Sequence, residues 1–394
     1  MKEGWSYKKL GEVCEIYNGN SINADYKKKF FSGRSDGYPF IATKDISITG
    51  VVDYDNGVRI PNYEDYKIAP PNSVFVCAEG GSAGKKCAFI SQNVCFGNKL
   101  FCLVPKDNAV EAKFVYYFVQ SDVFKDSFHS LLSGLIGGVS SKKFQTIQFH
   151  YPSLSEQHSI VSRLDTAFSH IDALKANAEK QLNEARKLFQ AELTECMKPK
   201  EGWEEKTLKE VSEIAGEYGL NASSKPFDGV RYLRITDITD FGYLNDDKVS
   251  ANVEDGKKQD ELVEGDILFA RTGATVGKTL VYRKDFGDCL FAGYLIRYRL
   301  KKDCILPRFI HYITHSKEYY KWVETNQEAA AQPNISAKKY NMLFIRYPNI
   351  DVQHRIVSHL DSLSSTIRKL EELQQKTLAE CDALKQAMLR EVFE

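Results

Sequence analysis

The sequence predicts an α+β protein. It should hold two similar mixed α/β domains, separated by two long helices that pair as an antiparallel coiled coil with pseudo-two-fold symmetry. Three observations predict this. First, the chain of 394 residues repeats itself roughly 196 residues on: Tyr151-Pro152-Ser-Leu-Ser-Glu-Gln157-His158-Ser-Ile160-Val161-Ser-Arg-Leu164-Asp165 returns as Tyr347-Pro348-Asn-Ile-Asp-Val-Gln353-His354-Arg-Ile356-Val357-Ser-His-Leu360-Asp361. Second, the segments after each Tyr-Pro, from Ser153 to Lys198 and from Asn349 onward, contain neither Gly nor Pro. Third, the stretch before each Tyr-Pro alternates short β-branched and aromatic runs with Gly, Asn and Asp turns, the pattern of strands.

The repeat runs from end to end. Glu3-Gly4-Trp5 with Leu10-Gly-Glu12-Val13 matches Glu201-Gly202-Trp203 with Leu208-Lys-Glu210-Val211. Strands are expected at Val74–Val76, Lys99–Leu103 and Ile147–Tyr151, and again at Ile267–Ala270, Leu295–Leu300 and Leu343–Tyr347. Helices are expected at Ala112–Ser121 and Pro307–His315. Small changes of offset between matched segments place insertions in loops, where chains tolerate them.

In the Gly/Pro-free segments, steps of four and three residues give a seam of Ile160, Leu164, Ala167, Ile171, Leu174, Ala178, Gln181, Ala185 and Leu188. The second seam is Ile356, Leu360, Leu363, Ile367, Leu370, Gln374, Thr377, Cys381, Leu384 and Met388. Spacing near 3.5 over four heptads is the coiled-coil pattern. At ~1.5 Å per residue such a helix is a rod of ~65 Å.

Composition narrows the function classes. Hydrophobic content of 43% and charged content of 27% describe an ordinary globular chain. The start lacks the apolar core of a signal peptide, and no run is long enough to span a membrane. Nine scattered cysteines without a Cys-x-x-Cys pair suggest reduced thiols, so a cytoplasmic location is expected. The 53 basic and 53 acidic side chains cancel, which argues against a non-specific nucleic-acid coat. Residues 1–150 carry 18 basic against 15 acidic groups, and residues 200–350 carry 23 of each. Any nucleic-acid contact must come from local basic faces.

Two motifs imitate catalytic signatures and fall short. Gly273-Ala-Thr-Val-Gly277-Lys278-Thr279 resembles a phosphate loop, but three residues separate its glycines where four are needed, and Leu280–Arg283 reads as a strand where a helix is required. Gly80-Gly-Ser82-Ala-Gly84-Lys85-Lys86 has the same short spacing. Both read better as basic hairpin loops. His158 and His354 have no ligand at metal spacing, and Asp45 and Asp237 have no second carboxylate for acid–base work.

The side chains suited to phosphates and base edges are Lys44, Ser82, Lys85, Lys86, Asn98, Lys99, Ser140, Lys142 and Lys143 in the first copy. In the second they are Arg231, Arg234, Arg271, Thr272, Lys278, Arg283, Ser336, Lys338 and Lys339. Val139-Ser140-Ser-Lys142-Lys143-Phe144 and Ile335-Ser336-Ala-Lys338-Lys339-Tyr340, before the last strand, read either as loops that offer hydroxyls and lysines to phosphate or as ordinary helix N-caps with solvated lysines.

The duplicated Gln157…Ile160-Val161…Leu164-Asp165 string, with Gly-Trp…Leu-x-Glu-Val at the head of each copy, resembles the specificity subunit of type I restriction–modification systems over the whole chain. Val352 stands where the first copy has Glu156, a small departure. The resemblance implies target-recognition domains at 1–152 and 200–348, with long spacer helices at 153–199 and 349–394. It implies double-stranded DNA with a bipartite asymmetric site as target, each domain reading one half while the helices set the spacer. Two methyltransferase subunits would dock on the helices, through Gln157, Gln353 and the seam residues Ile160, Leu164, Ile171, Leu174, Leu188, Ile356, Leu360, Ile367, Leu370 and Leu384. Restriction subunits would be able to join that complex. The chain itself would have no catalytic centre, cofactor or metal. S-adenosylmethionine belongs to the methyltransferase, and ATP with Mg to the restriction subunit. The competing readings are a coiled-coil protein-interaction scaffold without DNA binding, and a nucleotide hydrolase built on the Gly-Lys loop.

Overall fold

Alternation along the central strands decides how each copy is layered. In the computed structural model, which describes residues 4–132, 137–253, 262–327 and 332–394, the chain forms two units. One comprises Met1–Ala178 with Gln375–Glu394, the other Glu179–Gln374.

In the first unit the strand Ser73–Cys77 lies between Leu100–Pro105 and Cys87–Ile90, and Cys14–Asn18 completes an antiparallel sheet of four. Val74 and Val76 face helices Ala112–Phe118 and Asp122–Ser130 in a core with Phe114, Phe118, Phe124 and Phe128. Phe75 and Cys77 point the other way, to Ile41, Ile90, Phe96 and Leu100. This period of two buries both faces of the sheet. A second small sheet on that far side includes the parallel pairing Phe40↔Cys95 and Ile41↔Phe96. A two-stranded ribbon, Ser6↔Tyr151 to Lys9↔Gln148, closes the unit next to the start of the first long helix.

The second unit repeats the plan. Ile267–Ala270 lies between Leu295–Leu300 and Thr279–Val281, with Ser212–Tyr218 outermost. Ile267 and Phe269 face the helical core, and Leu268 and Ala270 face the opposite one. Arg231–Leu233 pairs in parallel with Cys289–Phe291, and Glu204↔Tyr347 to Thr207↔Phe344 form the closing ribbon. The expected strands and first helices are thus present, shifted by up to three residues at some ends. The helices Asp122–Ser130 and Lys317–Asn326 carry no signal that the sequence reading used.

The long helices run Leu154–Cys196 and Ile350–Phe393. Ser153 Oγ accepts from Glu156 N at 3.4 Å and Asn349 Oδ1 from Val352 N at 3.1 Å, capping the first turns. Within each unit the two helices pair antiparallel. In the first, Arg163 meets Glu391 at 3.8 Å, Asp172 meets Lys385 at 2.5 Å, and Lys175 meets Asp382. In the second, Arg186 meets Glu371 at 2.6 Å.

The seam differs from the one expected. Val161, Leu164, Phe168 and Ile171 are buried in the first unit with Cys381, Leu389 and Phe393. Leu182, Phe189 and Leu193 are buried in the second, as is Leu360. Ile356, Leu363 and Ile367 pack against that cluster, and Ile160 against the first; Leu370 is half-buried. Leu174, Leu188 and Leu384 are more than half exposed and stand outside the seam, and Gln181 is exposed beside buried Leu182. At Leu188 the neighbouring Phe189 takes the seam place. At Leu174 and Leu384 the physical reason is that Lys175 and Lys385 occupy seam places with their aliphatic stems, only 20% of each side chain being exposed. A count of apolar residues steps onto the neighbouring leucines instead.

Candidate nucleic-acid interface

The loop carrying Ser82, Lys85 and Lys86 joins two antiparallel strands, so it is the hairpin expected. Its backbone ties it to two further loops: Gly80 N–H donates to Gly137 O at 2.9 Å, Val139 N–H to Ala78 O at 3.1 Å, and Ala78 N–H to Lys99 O at 2.8 Å. Lys86 Nζ donates to Thr43 O at 3.0 Å, drawing in the turn that bears Lys44. The candidates of the first copy therefore gather at one end of the sheet. Lys85, Lys142 and Lys143 are exposed and form no ion pair among the described residues, whereas Lys99 is paired with Glu79 at 3.0 Å and Lys44 lies 3.7 Å from Asp45. Asn98 is exposed in the same turn as Lys99, and its carbonyl accepts from Asn18 Nδ2 at 3.0 Å.

The second copy builds the same end. Gly273 N–H donates to Pro333 O at 2.9 Å, Ile335 N–H to Arg271 O at 2.8 Å, and Arg271 N–H to Tyr294 O at 3.0 Å. Arg271 lies over the Tyr218 ring at 4.8 Å and donates to Asn334 Oδ1 at 3.2 Å. Thr272 and Lys278 lie on the same loop. Lys278 is paired with Asp240 at 2.7 Å. Lys338 is exposed, and Lys339 donates to Asn326 O at 2.8 Å.

The Ser-x-Lys-Lys segments take the helix-cap reading: they are short helices, Ser141–Phe144 and Ala337–Asn341, capped by Ser140 and Ser336, with Phe144 and Tyr340 as core residues. Two expectations need correction. Arg231 is 6% exposed and donates to the carbonyls of Asn245 and Asp247 at 2.8 and 2.9 Å, so it braces a loop instead of facing a ligand. Arg283 lies beyond strand Thr279–Val281, at the opposite end of the hairpin from Gly273–Gly277, where it pairs with Asp285. Arg234 is partly committed as well. It binds buried Asp237 and, at 2.7 Å, Asp247, and these two carboxylates hold its guanidinium above its ordinary range.

Asp45 and Asp237 turn out to be structural. Each accepts the backbone N–H three residues earlier, of Ala42 and Arg234, at 2.9 Å. The sequence reading missed Tyr294, which is 59% exposed and occupies the place of Lys99. Setting Phe96-Gly-Asn-Lys99-Leu beside Phe291-Ala-Gly-Tyr294-Leu would have found it.

The duplicated motif forms the joint between helix and sheet unit. Gln157 is fully buried: Nε2 donates to Ala109 O and Pro152 O at 2.9 Å, and Oε1 accepts from Glu111 N at 2.9 Å. Gln353 repeats this with Cys304 O, Pro348 O and Leu306 N at 2.9, 2.8 and 2.9 Å. Asp165 accepts from Tyr117 and Lys113, and Asp361 from Tyr312 and Arg308. These groups are used up inside each unit. His158 and His354 stay exposed.

A twice-built sheet unit with a polar loop end, locked to a long helix by Gln and Asp, matches a known class. Residues 2–184 and 200–379 each match the type I restriction modification DNA specificity domain, and the chain belongs to that family. It is 23% identical over 427 residues to the EcoBI type I restriction enzyme specificity subunit of Escherichia coli, covering all of this chain and 86% of that one. It is 25% identical over 420 residues to the EcoKI specificity subunit of E. coli strain K12, covering all of this chain and 89% of that one. The fold matches a solved chain from a study of complex assembly and conformational transition of the type I restriction–modification system, with a TM-score of 0.75, 20% identity, and 100% and 98% of the two chains covered. Family membership assigns this chain the specificity role, a non-catalytic one, with two DNA-recognition domains. Among the described residues no helix is long and apolar enough to cross a membrane.

Proposed function

We propose that the two recognition domains, residues 1–152 and 200–348, each read one half of a bipartite, asymmetric site on double-stranded DNA. The helices at 153–199 and 349–394 set the spacer between the halves and dock two methyltransferase subunits; restriction subunits can join that complex. The observation that carries this reading is one scaffold with two different ends. The joints at Gln157 and Gln353 are alike to the hydrogen bond. The loop ends differ: Glu79 and Lys99 in the first stand against Thr272 and Tyr294 in the second. The first also carries the helix Ala24–Phe30, with Lys27, Lys28 and Lys29 and the exposed rings of Tyr26 and Phe30. The second instead carries the ribbon Ser223–Pro226 with Val249–Asn252. Two different surfaces on equal supports suit two unrelated half-sites, the phosphate-facing lysines fixing register and other groups reading bases.

The chain's own work is to bind and position. Its lysines and hydroxyls hold phosphates, and its helices hold the partners. S-adenosylmethionine sits on the methyltransferase, and ATP with Mg on the restriction subunit. The test is a genome-wide map of methylated bases in a host expressing this chain with its methyltransferase, against the methyltransferase alone. An interrupted asymmetric motif should appear only with this chain, with a spacer of the order of one DNA turn, about 10 bp. Replacing residues 200–346 by another such domain should change one half of the motif. Change in both halves, or no motif despite a stable complex, would overturn the reading. Removing the lysines at 142 and 143 together should lower the slope of log affinity against log salt by about two.

A further inference from the structure

Glu192, Cys196 and His359 converge on the paired helices of the second unit. Glu192 and Cys196 stand one turn apart on the first long helix, a spacing that stacks their side chains on one face. His359 comes from the second long helix, beside buried Leu360. His359 Nε2 lies 2.9 Å from Glu192 Oε1, and Cys196 Sγ lies 3.8 Å from the same oxygen. One ligand atom from each of the three falls within 4.8 Å of the others, and no other such group of His, Cys, Asp or Glu occurs among the described residues.

We propose that this trio binds a zinc ion, with water in the fourth position. A thiolate, an imidazole and a carboxylate form a zinc ligand set, whereas the thiolate disfavours magnesium or calcium. Bonds of about 2.0–2.3 Å in a tetrahedron hold ligand atoms about 3.3–3.8 Å apart. The three side chains are partly exposed on helix surfaces, so shifts of about 1 Å or less complete that geometry. A simple His–Glu hydrogen bond accounts for two of the residues, while Cys196 packs on one side against the cluster of Phe189, Leu193, Tyr312 and Leu360 and brings its sulfur to the same carboxylate.

The first unit supplies an internal comparison. At the repeat offset the three places are held by Met388, Val392 and Arg163. These side chains line a small cleft in which Arg163 pairs with Glu391 at 3.8 Å. A cation and two apolar groups cannot ligate zinc. The ligand set therefore belongs to the second unit alone and is not a by-product of the shared scaffold. An ion there would clamp Glu192 and Cys196 of one long helix to His359 of the other.

The test uses the purified full chain loaded with Co²⁺ in place of Zn²⁺. One cobalt per chain should bind with a thiolate charge-transfer band and tetrahedral visible bands, both displaced by Zn²⁺. Cys196→Ser should abolish the charge-transfer band, and His359→Asn should weaken cobalt binding at least tenfold. Cys304→Ser, at another partly exposed thiol, should leave both unchanged. Saturating Zn²⁺ should raise the melting temperature of the parent chain and not that of Cys196→Ser. Absence of the band in the folded parent chain, or its persistence in Cys196→Ser, would overturn the proposal.

Discussion

At the centre of its sheet the first unit places Ser73, Cys102 and Val104; the second places Asp266, Arg297 and Arg299 at the same register positions. Arg297 and Asp266 are completely buried, and Arg299 and Glu217 complete the cluster, with Arg299 Nε 2.8 Å from Asp266 Oδ1 and Arg297 Nη1 3.8 Å from Asp266 Oδ2. One scaffold thus tolerates a neutral centre in one copy and an ionic one in the other. The lesson is that the repeat fixes strand order and pairing, and leaves the chemistry of single positions free wherever charges are mutually satisfied. Stripping one partner from such a cluster should be expensive, because its neighbours are left charged and dry. We expect Asp266→Ala to cost the second unit about 3–5 kcal/mol, and Ser73→Ala to cost the first about 1 kcal/mol or less. Chemical denaturation with hydrogen exchange read separately on the two units checks this. Equal costs would show that the ionic cluster is not what holds the second sheet.

The joints reverse the contrast. Gln157 and Gln353 make the same three hydrogen bonds. Alanine at either position strands an N–H and two carbonyls, at about 2–3 kcal/mol. The two substitutions should agree within about 0.5 kcal/mol in their own units. A difference beyond 1.5 kcal/mol would mean that the repeated motif serves different ends in the two copies.

These joints also show how far the sequence can be read. The motif Tyr-Pro…Gln…Leu-Asp marked the helix starts because Pro ends the strand and Ser153 or Asn349 caps the helix, both local effects. The fate of Gln157 could not be read locally, since its partners at Ala109 and Glu111 arrive from a loop 46–48 residues earlier. The seam failed at Leu174 and Leu384 because lysine stems do packing that a hydrophobic count does not credit. Arg231 failed for a related reason: its charge suggested phosphate, but its contacts are carbonyls that only the folded loop at Asn245–Asp247 brings together.

A smaller asymmetry lies under the second sheet. His311 is buried with its Nδ1 unpartnered, 4.3 Å from the ring of His315. Burial, then neighbouring His315 and Arg308, push the His311 pKa well below its ordinary value, and burial also lowers that of His315. The first unit has Tyr116 and Gln120 at those places, and its lowered His150 is less deeply buried. A histidine held neutral when folded takes up its proton on unfolding. The stability it contributes is complete above about pH 6.5, the unfolded pKa, and is lost as pH falls below it. The second unit should therefore lose up to about 1.4 kcal/mol per pH unit for each of the two histidines between pH 6.5 and their folded pKa values. The first should lose about half that slope or less. Hydrogen exchange at pH 6.5 and 5.0 reads this, and His311→Tyr with His315→Gln should bring the units level. A second unit no more acid-sensitive than the first would show the pair to be hydrated or paired in solution.

The least disruptive test concerns Leu188 and Leu384, which occupy matching places in the repeat and are 70% and 52% exposed. Neither packs in the seam, so replacing either by serine removes no buried contact, and stability should change by less than about 0.5 kcal/mol. If the long helices dock methyltransferase subunits, an exposed leucine repeated once in each unit is a natural anchor for each of them. Leu188→Ser should then loosen one methyltransferase copy and Leu384→Ser the other. The double substitution should release both while the free chain stays as stable as before. Native mass spectrometry of the assembled complex counts the copies directly. Two copies retained by the double variant would place the docking surface elsewhere on the helices, and would leave these leucines as ordinary exposed side chains.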